Sequence, residues 1–213
     1  MKGTSPPLPV HLQHYMEQNV GKPPIWSFPD LVSSKNLRFH RLDFVNRHRV
    51  LDMFRNDPSP FVEDYFKTEE ALYEYVASLW IAAPYSRKRG GIDWLIQRES
   101  GEWVGLLHAF DFSKENYGFR RRHCTIGFCV GESHRGTGIA REAVENLQSY
   151  LFRKMDMLYV LAYTKKENER CIRFLEKLEY EDASAAYGNE ESAFYRRYRS
   201  ARARSIILSN APA

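Results

Sequence analysis

The sequence predicts one mixed α/β domain, a mostly antiparallel sheet of six to seven strands flanked by about four helices. Three observations carry that expectation. First, the apolar run Cys124 to Val130 leads into a turn, Ser133-His134-Arg135-Gly136-Thr137-Gly138, and then into an amphipathic stretch from Gly138 to about Met155. Strand, glycine-rich turn and helix together build an anion site, because the first turn of a helix has unpaired N–H groups and the positive end of the macrodipole. Second, Met157 to Tyr163 is almost continuously apolar and too short for a helix. That suits a central strand covered on both faces and parallel to the previous strand through the helical crossover. Third, paired strand patterns precede and follow this unit, and 213 residues suffice for one substantial core but are few for two.

Taken in order, residues 1–35 are rich in Pro and Ser and hold no period, so they read as an N-terminal arm; Ile25, Trp26 and Phe28 are apolar enough for part of it to pack on the body. Asn36 to Leu42 alternates and reads as a first strand. Asp43 suits the N-cap of a helix to about Asn56, where Asn56-Asp57-Pro58-Ser59-Pro60 ends it. Phe61 to Phe66 is an aromatic, acidic loop. Thr68-Glu69-Glu70 opens a second helix to about Ala83, with acids in its first turn. Arg87 to Gly91 is a basic connection. Ile92 to Gln97 and Glu102 to Phe112 form a hairpin around Arg98-Glu99-Ser100-Gly101, and Lys114 to Arg122 is a polar loop ending in three arginines. Beyond the central unit, Asn168 caps a helix to about Leu178 whose stripe is Cys171, Phe174, Leu175 and Leu178. Tyr180 to Ala186 and Ser192 to Tyr198 form a closing hairpin around Gly188-Asn189, and residues 199–213 read as a C-terminal tail. The folded domain is expected over residues 36–198.

Composition narrows the function classes. Hydrophobic residues make up 43% of the chain, which argues against global disorder. Apolar runs fall far short of the roughly 20 residues that span a bilayer, and Met1 to Pro9 has no apolar core of a signal peptide. No membrane partner is expected. Three Cys without a CxxC spacing suit a reducing cytoplasm and give no metal framework. A net charge of +4 is too mild to imply DNA.

The element order, with Arg135-Gly136-Thr137-Gly138-Ile139-Ala140 after the fourth strand, resembles the GNAT superfamily of acyl-CoA-dependent N-acyltransferases. Arg135, Gly138 and Ala140 fill its acyl-CoA signature, Asn168-Glu169-Arg170-Cys171 matches the start of its next helix, and Arg173 to Tyr180 matches that helix's end. Within the superfamily the chain looks most like the ribosomal-protein N-terminal acetyltransferases. The resemblance implies a splayed central parallel strand pair and an acetyl-CoA cosubstrate, with no metal. The acceptor it implies is a primary amine, either a protein N-terminus or a small molecule, in a monomer or homodimer. Two departures stand out: Glu179-Tyr180 replaces the usual Gly-Phe, and Leu175 stands where many members carry a tyrosine general acid.

For the donor, the amides of Arg135, Gly136, Thr137, Gly138, Ile139 and Ala140 suit a pyrophosphate, with Arg141 as an added charge. The edge Phe128, Cys129, Val130 suits pantetheine as a pseudo-strand, with a backbone N–H near Val130 for the thioester carbonyl. Asn168 and Cys171 border the same arm. For the base and acid the sequence leaves Glu132, His108, His123 and Tyr195 open, beside Cys171 and water as acids. His134 reads as an exposed loop residue. Glu63, Tyr65, Phe66 and Asp111 are candidates for the acceptor wall, with Asp64 beside them. The cysteines do not read as covalent nucleophiles. Two other readings stay open: a CoA-binding sensor that has lost catalysis, and RNA or ribosome contact through Arg120-Arg121-Arg122 and the basic tail. An acyl group larger than acetyl also stays open.

Overall fold

A computed structural model describes residues 30–81, 91–112, 123–187 and 190–208. Most of the N-terminal arm, residues 87–90 of the basic connection Arg87 to Gly91, Arg120-Arg121-Arg122 and the Gly188-Asn189 turn lie outside the described residues. The elements are β1 (Leu37–Arg41), α1 (His48–Phe54), a one-turn 3₁₀ helix (Asp64–Phe66), α2 (Glu69–Ile81), β2 (Gly91–Arg98), β3 (Trp103–Phe110), β4 (His123–Val130), a second 3₁₀ turn (Glu132–His134), α3 (Ile139–Arg153), β5 (Tyr159–Lys165), α4 (Glu169–Lys177), β6 (Glu181–Asp182), α5 (Ser184–Tyr187), β7 (Ser192–Tyr198) and α6 (Ala201–Leu208). The seven strands form one sheet in the order β1-β2-β3-β4-β5-β7-β6. Every pairing is antiparallel except β4 with β5.

Strand alternation assigns side chains to two layers. Ile92, Trp94 and Ile96 of β2 and Leu107 and Ala109 of β3 pack with Val144, Leu147 and Leu151 of α3 and Leu175 of α4. Leu95 and Leu106 turn the other way, onto Val50, Leu51 and Phe54 of α1 and Leu72 and Val76 of α2. This is why β2 is buried on both faces from Gly91 to Ile96. Each such buried side chain contributes roughly 1.5–3 kcal/mol against the entropy of ordering it. Among the described residues, no helix is long and apolar enough to cross a membrane.

Three local expectations change. Helix α1 begins at His48, not after Asp43: Asp43 Oδ1 accepts the amides of Val45 and Asn46 at 2.8 Å each, so its carboxylate closes a turn ahead of the helix. The closing hairpin reduces to a two-residue pairing of β6 with β7, because Asp182 Oδ1 accepts the Ser184 amide and starts the short α5. The stretch expected as a tail contains α6, whose Ala203 is buried and whose first turn is capped by Ser200 Oγ. Glu179, in the place of the family's usual glycine, takes φ +60° at the end of α4, where glycine is favoured.

Candidate functional site

The β4–β5 ladder runs only through His123–Tyr159, Cys124–Val160 and Thr125–Leu161. Beyond it, β4 stays bonded to β3 as far as Val130, while β5 stays bonded to β7 as far as Lys165. The two strands therefore part. Phe128 of β4 packs on Phe174 of α4 at 4.9 Å, and Asn168 Nδ2 donates to Thr164 Oγ1 at 3.0 Å, so α4 closes the far side. The opening is a cavity of about 970 Å³ whose walls include Gly127, Phe128 and Cys129 on one side and Ala162, Thr164 and Lys165 on the other.

The freed edge carries usable backbone groups. In an antiparallel ladder alternate residues bond to the partner strand. The Gly131 amide donates to Val104 O, so Cys129 and Gly127 address β3 in the same way. Phe128 and Val130 then turn their amides and carbonyls toward the gap. Val130 O accepts from Arg135 Nε at 3.1 Å, on that same side.

At the closed end of the gap stands His108. It pairs with Gly127 across β3 and β4, and a Cβ at Gly127 would stand 3.3 Å from His108 Cδ2; the glycine makes room for the ring. His108 Nδ1 lies 2.8 Å from Asp93 Oδ2 and 3.0 Å from the Tyr75 hydroxyl, and Tyr75 donates to Asp93 Oδ2 at 2.7 Å. The Asp93 side chain is only 2% exposed. Phe66 stacks on His108 at 5.5 Å and Tyr65 stacks on Tyr75 at 4.5 Å. Burial, reinforced by the Asp93 charge, pushes the Tyr75 hydroxyl well above its ordinary range, so it remains a proton donor in this cluster.

The other end of β4 leads to the glycine turn. Gly136 and Gly138 take φ +83° and +88°, and α3 starts at Ile139 with Gly138 as its N-cap. Nothing lies within 4 Å of a Cβ built on Gly138, so the backbone conformation, not crowding, calls for glycine there. Arg135 does not extend toward the turn: its guanidinium donates to the carboxylate of Asp57, whose side chain is fully enclosed, and to Val130 O. A different cation takes that neighbourhood. Arg170 Nη2 lies 3.7 Å from where a Gly136 Cβ would stand, and Arg170 has no ion-pair partner among the described residues.

Of the four candidates for base or acid, His108 lines the cavity. Glu132 is exposed in the turn after β4, His123 stacks on Tyr159 at 4.7 Å at the paired end, and Tyr195 is buried in β7; none of these three lines it. Phe128, Cys129, Asn168 and Cys171 line it, as do Glu63, Tyr65, Phe66 and Asp111. Val130 does not, and Asp64 is turned to Lys67. Thr137, Gly138 and Ile139 border a separate 420 Å³ cavity with Arg98 and Glu142. Arg141 pairs with Glu145 at 3.0 Å on an exposed helix face. His134, expected to be exposed, is half-buried and 3.5 Å from Glu102. Asn168 Oδ1 accepts the Cys171 amide at 3.2 Å, capping α4. Burial pushes the Cys129 thiol up to about 12 and also raises Cys124 and Cys171, which leaves them poor nucleophiles.

Sequence reasoning missed Asp93, Tyr75 and Arg170. A signal existed for Asp93: one carboxylate inside the apolar strand Ile92-Asp93-Trp94-Leu95-Ile96 demands a partner. Tyr75 hides in the apolar stripe of α2, and Arg170 becomes meaningful only when α4 is set beside the glycine turn. Among the described residues, no group of three or more His, Cys, Asp or Glu is placed to hold a metal ion.

A family model described as an acetyltransferase (GNAT) domain matches residues 38–181. No curated protein matches the chain. Among solved structures, FdhC, a nucleotide-linked sugar GNAT in its apo form, superposes with a TM-score of 0.64 at 12% identity over 85% of this chain and 94% of that one. RimL, a ribosomal L7/L12 α-N-protein acetyltransferase in complex with coenzyme A, gives 0.61 at 16% identity over 79% and 97%. A spermidine N-acetyltransferase SpeG mutant from Vibrio cholerae gives 0.57 at 11% identity over 78% and 95%.

Proposed function

The chain belongs to the GNAT acetyltransferases, and on that footing we propose that it moves the acetyl group of acetyl-CoA to a primary amine by direct attack. The observation that carries this reading is the parting of β4 from β5 into a cavity with His108 and Asp93 at its closed end. The protein groups suit the donor along its whole length. The amides at Gly136 to Ile139, with Arg170 beside them, meet the pyrophosphate. The free edge of β4 bonds the pantetheine amides as an added strand. Because the turn follows Val130, the arm runs back along β4 and brings the thioester to Gly127 and Phe128. The Phe128 amide, closer to His108 than the Val130 amide, is then the donor to the carbonyl oxygen.

The acceptor enters past Phe61, Glu63 and Tyr65, where Glu74 and Asp111 also face the cavity and favour an ammonium group. His108 takes a proton from that ammonium. That first proton passes on to solvent and the free amine attacks the thioester carbon; His108 then takes a second proton from the nitrogen of the tetrahedral adduct as the C–S bond breaks, and the imidazolium gives it to the departing thiolate. Leu175 has no proton to give, so His108 serves both steps in this reading. The relatives' named acceptors, spermidine and a ribosomal-protein N-terminus, define the classes to be assayed.

Two variants test this. His108→Gln is expected to lower kcat about 10²–10⁴-fold while leaving KM for acetyl-CoA unchanged. The assay measures CoA thiol released with spermidine, an L7/L12 N-terminal hexapeptide and an amino sugar nucleotide. Arg170→Ala is expected to raise KM for acetyl-CoA about three- to tenfold with kcat held within about twofold, since it removes one solvent-facing charged contact. Tight CoA binding in calorimetry with no thiol release from any of the three amines would favour the sensor reading.

A further inference from the structure

His108 presents one ring nitrogen to a carboxylate. With Nδ1 at 2.8 Å from Asp93 Oδ2, a lone pair on Nδ1 would face negative charge, whereas a proton there completes a hydrogen bond. Tyr75 cannot take over that proton's place. Its own O–H is given to the same Asp93 oxygen at 2.7 Å, and its oxygen, 3.0 Å from Nδ1, is left as a second acceptor. The three groups satisfy one another in a single arrangement: Nδ1 protonated, Asp93 ionised, Tyr75 neutral. Nε2 is then the nitrogen without a proton. Phe66 holds one face of the ring, and Gly127 leaves space for it over β4.

We infer that Asp93 and Tyr75 are positioning residues which fix the Nδ1–H tautomer of His108 and so make Nε2 the proton acceptor in acetyl transfer. This rests on the reading of His108 as the base. Asp93 also stabilises the imidazolium once Nε2 is protonated, and Tyr75 draws off part of the Asp93 charge, which limits how strongly the imidazolium is held. Glu63 ahead of the 3₁₀ turn and Tyr65 within it, Glu74 from α2, Asp111 after β3, Cys129 from β4, Lys165 from β5, Cys171 from α4 and Glu191 ahead of β7 line the same cavity as His108 and share its field.

The first test needs no acceptor. Long-range ¹H–¹⁵N correlation spectra of the whole protein, with His108 assigned by its disappearance in His108→Gln, report which ring nitrogen is protonated. The neutral ring is expected as Nδ1–H, and Asp93→Asn, whose amide can donate to Nδ1, is expected to move it to Nε2–H. A neutral wild-type ring found as Nε2–H, or a tautomer unchanged in Asp93→Asn, overturns the inference. The second test is kinetic and uses Tyr75→Phe, which spares the Asp93–His108 contact. Loss of the hydroxyl leaves Asp93 a stronger partner for the imidazolium, so the acid limb of kcat/KM is expected to move to higher pH while KM for acetyl-CoA stays the same. A limb that stays in place or moves down overturns the role of Tyr75. Failure of every amine to turn over would count against the proposed activity, while the spectra would still decide the tautomer.

Discussion

Gly138→Asp is expected to weaken CoA binding by about a hundredfold, roughly 3 kcal/mol. Gly138 sits at φ +88° as the N-cap of α3, with open space where a side chain would point. Aspartate is a good N-cap residue and tolerates a left-handed backbone better than most, so the helix should survive the change. What changes is the sign of charge at the place proposed for the pyrophosphate. Gly138→Ala separates the two effects: it imposes the backbone strain, about 1–2 kcal/mol, with no added charge. Calorimetry with CoA reads both variants. Equal losses for alanine and aspartate would point to backbone strain, and undiminished affinity in Gly138→Asp would remove the phosphates from this turn.

Arg135→Ala is expected to cost about 3 kcal/mol of stability, seen as a Tm lower by roughly 6–12 °C. The loss comes from Asp57, which is left ionised and enclosed without its partner. Burial alone would push the Asp57 carboxyl up, but the Arg135 hydrogen bond and the Ser59 amide outweigh it and hold the carboxyl below its ordinary 3.8. Because the folded value is lowered, the stabilisation is complete above the unfolded value and disappears as pH falls through the folded one. The Tm difference between wild type and Arg135→Ala should therefore close on acidification below about 4. Pairing Arg135→Ala with Asp57→Asn should recover part of the loss, because no uncompensated charge then remains. A Tm difference that persists unchanged into acid would show that Asp57 is not the cause.

The Arg135 result bears on how the glycine turn is held. Arg135 fills the first place of the acyl-CoA signature, yet its side chain ties the end of β4, through Val130 O, to the turn that follows α1. Asp57, ahead of the proposed acceptor wall, and Arg135, ahead of the proposed phosphate turn, are thus joined by one ion pair. Read along the chain, Arg135 is a charge beside a phosphate; in the fold it is a brace, and the exposed cation near Gly136 is Arg170.

Periodicity carried the sequence far. The run Cys124 to Val130, the glycine turn and the α3 stripe specify their structure locally, because a strand's alternation, a positive φ and a helix face are all set by neighbours within a few residues. The Asn168 cap and the apolar β5 belong to the same class. Local capping chemistry overrode the wider pattern at Asp43 and Asp182, where short-range hydrogen bonds from a carboxylate displaced a helix start and a strand. These side chains can serve either a turn or a regular element, and the choice depends on what packs behind them.

By itself the sequence determined the strand, turn and helix around Gly138 and the order of elements that places them in one sheet. Those features depend on residues close together in the chain. The tertiary structure alone decided which candidate base meets the cavity. His108, His123, Glu132 and Tyr195 are chemically comparable on the page of a sequence, and only strand registry sets His108 against Gly127 at the closed end of the gap. Asp93 and Tyr75 reach it from β2 and α2, fifteen and thirty-three positions away. Their hydrogen bonds exist because the hairpin and the helix packed over it bring three distant residues to one buried point, a coincidence that no local pattern encodes.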